Sequence, residues 1–321
     1  MMEVLREALR RARESGPQAL ATVVRTSGST PRHAGAKMVV GADAKSFGTI
    51  GGGRVELEVA RAGAEVAGGA PARLVRHHLV RDLAMCCGGS MDVLVQPVAP
   101  SARALEGAVE LAARRRPGVL VSRLDGAAMV VEERSAHGAR RPRLEGELFA
   151  EPILPPDRVI LFGSGHVARA LGPVLAGLGF EIAVCDDNET GALEDEPPWA
   201  GRTVDSFDLP DVEKALGSIG FCDYLIITTR DHAIDQRILE QALAHPALPD
   251  LAYLGLIGSQ GKIGRFRKRL EAKGVASEER WKRLRAPIGL DIAAETPGEI
   301  AISVAAELIR LRNTGAAADD R

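Results

Sequence analysis

The chain has few cysteines, no excess of charge of either sign and no long apolar run. Four cysteines in 321 residues, with no C-x-x-C pair among them, argue against a disulfide framework and against the ligand spacing of a structural zinc site. A formal net charge of −2 gives no general attraction to nucleic acid or to an anionic membrane. No stretch approaches the ~20 apolar residues that cross a bilayer, and the N-terminal "MMEVLREALRRARESG" is charged and amphipathic, unlike a secretory signal. The expectation is a cytoplasmic protein with neither nucleic acid nor membrane as a partner. What is present, 45% hydrophobic and 26% charged residues, is the composition of a globular chain whose length suits two domains.

Hydrophobic periodicity divides the chain in two. Leu5, Ala8, Leu9 and Ala12 share one face of a first helix that stops at Gly16-Pro17. "ALATVVRT", "AKMVV" and "FGTI" read as strands, and "RVELEVARAGAEVA" as a helix. "HHLV" and "DVLVQPV" read as strands on either side of "MCCGGSM", and Ser101 is positioned to cap a further helix. "GVLVSRL" and "AAMVVEE" around Asp125-Gly126 form an expected hairpin with a type I′ turn. After the proline-marked stretch "EPILPPDR", short apolar strands alternate with helices, which implies a parallel sheet covered on both faces. The expected class is therefore α/β: an N-terminal mixed α/β domain over 1–151, a linker over 152–157, and a Rossmann-like doubly wound domain over 158–321.

Within the second part, Gly163-Ser164-Gly165-His166-Val167-Ala168 fits G-x-G-x-x-A between a strand and a helix. Such a turn brings backbone N–H groups to a phosphate. Asp186, at the end of the next strand, stands where a carboxylate accepts from ribose hydroxyls, and Asp187 beside it would favour NAD over NADP by repelling a 2′-phosphate. Asp231 and His232 follow one later strand, and Ser259 and Lys262 follow another, so all converge on the same crevice. Lys262 could neutralise a phosphate or simply be solvated, and Asp231 could cap its helix or act in chemistry. His166 and His232 would face the crevice. Thr296-Pro297-Gly298-Glu299 reads as a capping box, opening a helix, "IAISVAAELI", that is apolar on nearly every side and expected to be buried.

Cys185 and Cys222 adjoin apolar runs and read as small core residues. Cys86 and Cys87 differ: they are adjacent and followed by Gly88 and Gly89, which remove the bulk that would bury a sulfur. Something is expected to approach these thiols.

"RTSGSTPRHAGAKMVV", "GTIGGGRVE", "CCGGSMDVLVQPV", "ILFGSGHVARAL", "YLGLIGSQGK" and "PIGLDIAAETPGEIAISVAAELI", in this order, resemble the XdhC/CoxI family. Its members are accessory proteins of xanthine dehydrogenase and related molybdenum hydroxylases. The resemblance implies a maturation factor, closer to a cofactor-binding chaperone than to a catalyst. Such a protein binds molybdenum cofactor (molybdopterin), protects it during sulfuration with a cysteine desulfurase, and delivers it to an apo molybdenum hydroxylase of the xanthine dehydrogenase type. A homodimer is expected.

In that role Cys86 or Cys87 would hold molybdenum or carry sulfur as a soft thiolate, with Gly88 and Gly89 leaving room for the pterin. Gly51, Gly52, Gly53 and Arg54, together with Ser29, Thr30 and Arg32, would supply amides and guanidinium groups to an oxyanion. Glu56 would accept hydrogen bonds from pterin nitrogens. Two further readings stay open: an NAD(P)-dependent oxidoreductase, for which no hydride-transfer acid or base is evident, and a nucleotidyl transferase acting on the cofactor.

Overall fold

The computed structural model describes residues 1–84, 88–133, 140–189 and 197–314, and the chain divides into two compact units, Met1–Pro155 and Pro156–Arg321. The first contains α1 (Met2–Glu14), β1 (Gln18–Ser27), β2 (Lys37–Gly41), β3 (Ser46–Gly48), α2 (Gly53–Ala67), β4 (Arg73–His78), α3 (Leu79–Leu83), β5 (Ser90–Pro97), α4 (Ala102–Ala113), β6 (Gly118–Arg123), β7 (Val130–Glu133), β8 (Arg143–Glu145) and β9 (Leu148–Ile153). Strands β3-β2-β1-β5-β4 form one antiparallel sheet and β7-β6-β9-β8 another. Strand β1 is buried from Gln18 to Val24 because both of its faces are covered there. Ala19, Ala21 and Val23 meet Val55, Val59 and Val66 of α2, while Leu20 packs with Leu5 of α1, Leu105 of α4 and Leu120 of β6, the period-two alternation of a strand.

One buried ion pair crosses this unit. Lys37 of β2 donates from Nζ to Glu151 Oε2 of β9 at 2.6 Å and to Thr22 Oγ1 of β1 at 2.9 Å, and the two charged side chains are 0% and 1% exposed. Burial pushes the Glu151 carboxyl up, against the pull of Lys37, and Glu151 Oε1 has no hydrogen-bond partner among the described residues.

The second unit contains β10 (Arg158–Phe162), α5 (His166–Gly177), β11 (Glu181–Asp186), β12 (Arg202–Asp205), α6 (Leu209–Leu216), β13 (Asp223–Ile227), α7 (His232–Ala244), β14 (Tyr253–Leu256), α8 (Gln260–Ala272), α9 (Glu278–Trp281), β15 (Leu284–Arg285) and α10 (Pro297–Thr314). These six strands run parallel in the order β12-β11-β10-β13-β14-β15. Val159 and Leu161 of β10 pack on the face that carries α5 and α10, and Ile160 and Phe162 on the face that carries α6, α7 and α8. The mixed α/β unit followed by a doubly wound Rossmann sheet is the class read from the sequence. At the amino ends of β10 and β13, Arg158 grips Asp223 through Nε and Nη2 at 2.7 and 3.0 Å, a buried fork that fixes where the two central strands start. Among the described residues no helix is long and apolar enough to cross a membrane.

Four local expectations change. "HHLV" splits, its histidines ending β4 and its apolar pair opening α3, because His78 caps that helix: its Nδ1 accepts from Arg81 N at 3.3 Å. The Asp125-Gly126 hairpin pairs only from Val121↔Val130. Gly126 N closes a turn onto Arg123 O, so Asp125-Gly126 are the third and fourth turn residues rather than the central pair of a type I′ turn. Ser101 Oγ accepts from Met129 N at 3.0 Å instead of capping α4. Finally, α10 leaves Ile302 55% exposed, so one side of this helix stays uncovered.

Lys37→Met should lower the denaturant stability of the protein by about 3–5 kcal/mol by leaving Glu151 buried and unpaired. The double variant Lys37→Met/Glu151→Leu should recover most of that loss in the same urea titration. Equal loss in both would show that packing, and not the charge pair, holds the two sheets together.

Candidate functional site

In the first unit, three stretches distant in sequence meet. The loop after β1 turns at Gly28, whose φ is +68°. Gly89 lies against it: its N donates to Ser29 O at 2.9 Å and its own carbonyl accepts from Leu79 N at 2.9 Å. A Cβ at Gly89 would strike Ser27 O and Ser29 O, and one at Gly51 would strike Pro31 of the same loop. The stretch around Ser27–Arg32 is thus held between the triple-glycine turn and Gly88-Gly89. Gly89 is explained by packing, whereas a Cβ at Gly88 or Gly52 would meet no described atom within 4 Å, so open space lies beside those two. Cys86 and Cys87 lie outside the described residues.

The amides of the triple-glycine turn have an acceptor within the chain. Glu56, one turn into α2, accepts on Oε2 from Thr49 Oγ1 at 2.7 Å, Gly52 N at 2.8 Å and Ile50 N at 3.2 Å. Partial burial alone would raise the Glu56 carboxyl, but these bonds outweigh it and hold the group below its usual value. Glu56 was expected to meet a ligand; here it first organises the turn, with one oxygen fully engaged. Arg32 and Arg54 are exposed on the two segments that Gly51 and Pro31 bring together. Ser29 is exposed and Thr30 half-buried, the Thr30 hydroxyl donating to Arg32 O at 3.0 Å. Sequence reasoning overlooked His77, on β4 opposite Met91, whose Nε2 is buried without a hydrogen-bond partner among the described residues. Its period-two place in an ordinary strand carried no signal of that.

In the second unit the glycine turn lies at the carboxyl ends of β10 and β13. Gly163 has φ +102°, and a Cβ there would lie 2.7 Å from Thr228 O, so the neighbouring strand end demands glycine. Around Gly165 there is nothing within 4 Å of a would-be Cβ, which leaves open space at the start of α5. His166, at that helix start, and His232, edge-on to Phe266 at 6.4 Å, are not buried.

Asp186, Lys262, Asp231 and Ser259, all expected in the crevice, are committed to the protein itself. Asp186 is buried, its Oδ2 accepting from Ser164 N at 2.9 Å and Ser164 Oγ at 2.7 Å and its Oδ1 from Asn188 N at 3.1 Å. It braces the glycine turn. Lys262 is likewise buried, its Nζ paired with Asp235 Oδ2 and donating to Ile257 O at 2.9 Å. Asp235 Oδ1 in turn accepts from Thr229 Oγ1 at 2.7 Å. The ammonium expected at a phosphate instead ties α8 to α7 and to the end of β14, while Asp235 holds the loop after β13. Asp231 caps α7, its Oδ1 accepting from Ala233 N and Ile234 N, and Ser259 caps α8. Cys185 and Cys222 are buried, with burial pushing the Cys185 thiol up to about 12. Among the described residues, no group of three or more His, Cys, Asp or Glu could hold a metal ion.

An open glycine turn at the central strand ends of a parallel sheet, following an antiparallel α/β unit, defines a Rossmann-domain protein with a second, structurally distinct module. The model described as the XdhC Rossmann domain matches residues 159–308, and that described as the XdhC and CoxI family matches residues 11–78. The chain belongs to the XdhC/CoxI family.

Among its relatives is the uncharacterized protein YqeB of Escherichia coli (strain K12), 32% identical over 326 residues, covering 97% of this chain and 47% of that protein. A probable xanthine dehydrogenase subunit of Bacillus subtilis (strain 168) is 31% identical over 51% of this chain and 46% of its own length. The chain thus matches about half the length of these two. The molybdenum cofactor insertion chaperone PaoD of Escherichia coli (strain K12) is 25% identical over 96% of this chain and 88% of its own. A crystal structure of a xanthine dehydrogenase from Bacillus halodurans superimposes with a TM-score of 0.73 at 25% identity, covering 99% of this chain and 97% of that one.

Glu56→Gln should cost about 1–3 kcal/mol near neutral pH, since it weakens three hydrogen bonds to one oxygen. Because folding lowers the carboxyl from its ordinary 4.5, that stabilisation is present in full above the unfolded value and is lost as pH falls through the folded one. The gap between wild type and variant in urea titrations should therefore be constant from pH 7 to about 5 and narrow below 4.5. A gap independent of pH would show that the carboxylate charge contributes nothing.

Proposed function

We propose that this protein is a maturation factor for a molybdenum hydroxylase of the xanthine dehydrogenase type: it takes molybdenum cofactor as cargo and hands it to the apoenzyme. The observation that carries the reading is the convergence of Ser27–Arg32, Gly51–Arg54 and Gly88-Gly89 in the first unit. Three segments that meet through glycines, expose two guanidinium groups and leave open space beside Gly52 and Gly88 suit an anionic ligand of some size. The names of the relatives, an insertion chaperone and a probable xanthine dehydrogenase subunit, support the same reading.

In this role Arg32, Arg54 and the amides at the start of α2 bind the cofactor's phosphate. Glu56, anchored through Oε2, turns its second oxygen to N–H donors of the pterin. Cys86 and Cys87, next to Gly88 in the chain, offer the soft sulfur that molybdenum prefers. The first unit, to residue 151, holds the cargo; the second, from 158, takes a nucleotide at the Gly163–Gly165 turn. A cysteine desulfurase is the partner that would supply sulfur to the bound cofactor.

Protein purified from cells making molybdenum cofactor should carry molybdenum and pterin in near-equal amounts by elemental analysis and fluorescence of the oxidised pterin. Cys86→Ala/Cys87→Ala and Arg32→Ala/Arg54→Ala should each reduce the load at least fivefold and fail to activate an apo-hydroxylase. Full loading of both variants would overturn the assignment. Gly165→Val, which meets no protein atom within 4 Å of its Cβ, should remove nucleotide binding at least tenfold in equilibrium dialysis while leaving the thermal midpoint within a few degrees.

A further inference from the structure

The second unit has a cavity of about 350 Å³ that the glycine turn does not account for, lined by Gln260 at the start of α8, the segment Pro287–Ala294, and Ile300 and Ser303 of α10. Its wall is fixed from behind. The buried carboxylate of Glu307 accepts on Oε2 from Gly289 N at 2.8 Å and Tyr253 Oη at 2.5 Å, and Ser303 Oγ donates to Leu290 O at 2.6 Å. A Cβ on Gly289 would collide with Ser303, so the strap after β15 can lie this close to α10 only at a glycine. The cavity is therefore built into the fold.

Its position follows from two helices. Arg312 near the end of α10 donates to Leu178 O, the C-cap of α5, at 3.0 Å, so the two helices end together and run the same way on one face of the sheet. Ile300 and His166 each lie twelve residues before that contact, about 18 Å along either helix. Ile300 is thus level with the helix start beside Gly165, one helix spacing away, ~8–10 Å. The cavity lies on the side of β14 and β15, and Asp186 on the side of β11.

The lining sets the chemistry. Among the described residues no Lys or Arg lines the cavity, so it offers an anion no cationic side chain. Ile288, Ile292 and Ile300 give apolar walls, while Gln260, Asp291 and the peptide groups between them give hydrogen-bonding edges. That combination suits a flat, uncharged or cationic heterocycle with a polar rim. Resting on the nucleotide reading of the glycine turn, we propose that the cavity is the second half of a dinucleotide site. The pyrophosphate lies on Gly163–Gly165 and the distal ring enters between Ile288, Ile292 and Ile300, its polar edge on Gln260.

Calorimetric titration of the full chain with NAD⁺, AMP and nicotinamide mononucleotide tests this. Wild type should bind NAD⁺ at least tenfold tighter than AMP. Ala294→Trp, which fills the cavity, and Gln260→Leu, an exposed change that leaves the cavity open, should each weaken NAD⁺ at least fivefold and leave AMP within twofold. NAD⁺ bound no tighter than AMP by wild type, or NAD⁺ affinity unchanged in both variants, would overturn the second half-site alone. Binding of none of the three ligands would overturn the nucleotide reading of the glycine turn along with it.

Discussion

Backbone approaching backbone with no side chain between is the constraint on which both candidate sites depend. Gly89 sits where a Cβ would strike two carbonyl oxygens of the loop after β1, Gly51 where it would strike Pro31, and Gly163 where it would strike the end of β13. Each is a point at which an alanine would push two segments apart by a few tenths of an ångström or more. The sites are thus assembled by what is missing from particular residues, and the glycines next to them, Gly52, Gly88 and Gly165, leave the space that a ligand needs. In each motif one glycine closes a structural contact and its neighbour stays open.

A second regularity is the use of acids as internal braces. Glu56 holds the turn before α2, Asp186 the Rossmann turn, Asp235 the loop after β13, and Glu307 the strap after β15. In every case the carboxylate accepts from backbone N–H or hydroxyl groups of a loop, which rigidifies irregular backbone. The loops at the two sites are consequently preorganised, and binding there has less conformational entropy to overcome.

The α/β class, the parallel second sheet, the glycine turn and the capping box at Thr296–Glu299 were legible because each is written in local periodicity or in residues a few positions apart. The commitments of Asp186 and Lys262 were not. Asp186 meets Ser164 across 22 residues and Lys262 meets Asp235 across 27, and nothing local distinguishes a buried partner from a ligand-facing group. The same holds for Lys37 and Glu151, whose pairing requires two sheets to meet. At the first site nothing in the sequence revealed that the three segments touch, since contact between Pro31 and Gly51 depends on the path of the whole β2–β3 excursion.

Arg230, after β13, reaches across to Asp187 through both terminal nitrogens at 2.8 and 2.9 Å and pairs with Glu189 as well. The acids Asp187 and Glu189 therefore share a single cation from a different strand end, which offsets only part of their charge. A phosphorylated ribose arriving there would meet a guanidinium already paired with carboxylates and would have to displace one of them against the negative charge that remains. Discrimination between plain and phosphorylated ribose at this edge would then rest on how readily that exchange occurs.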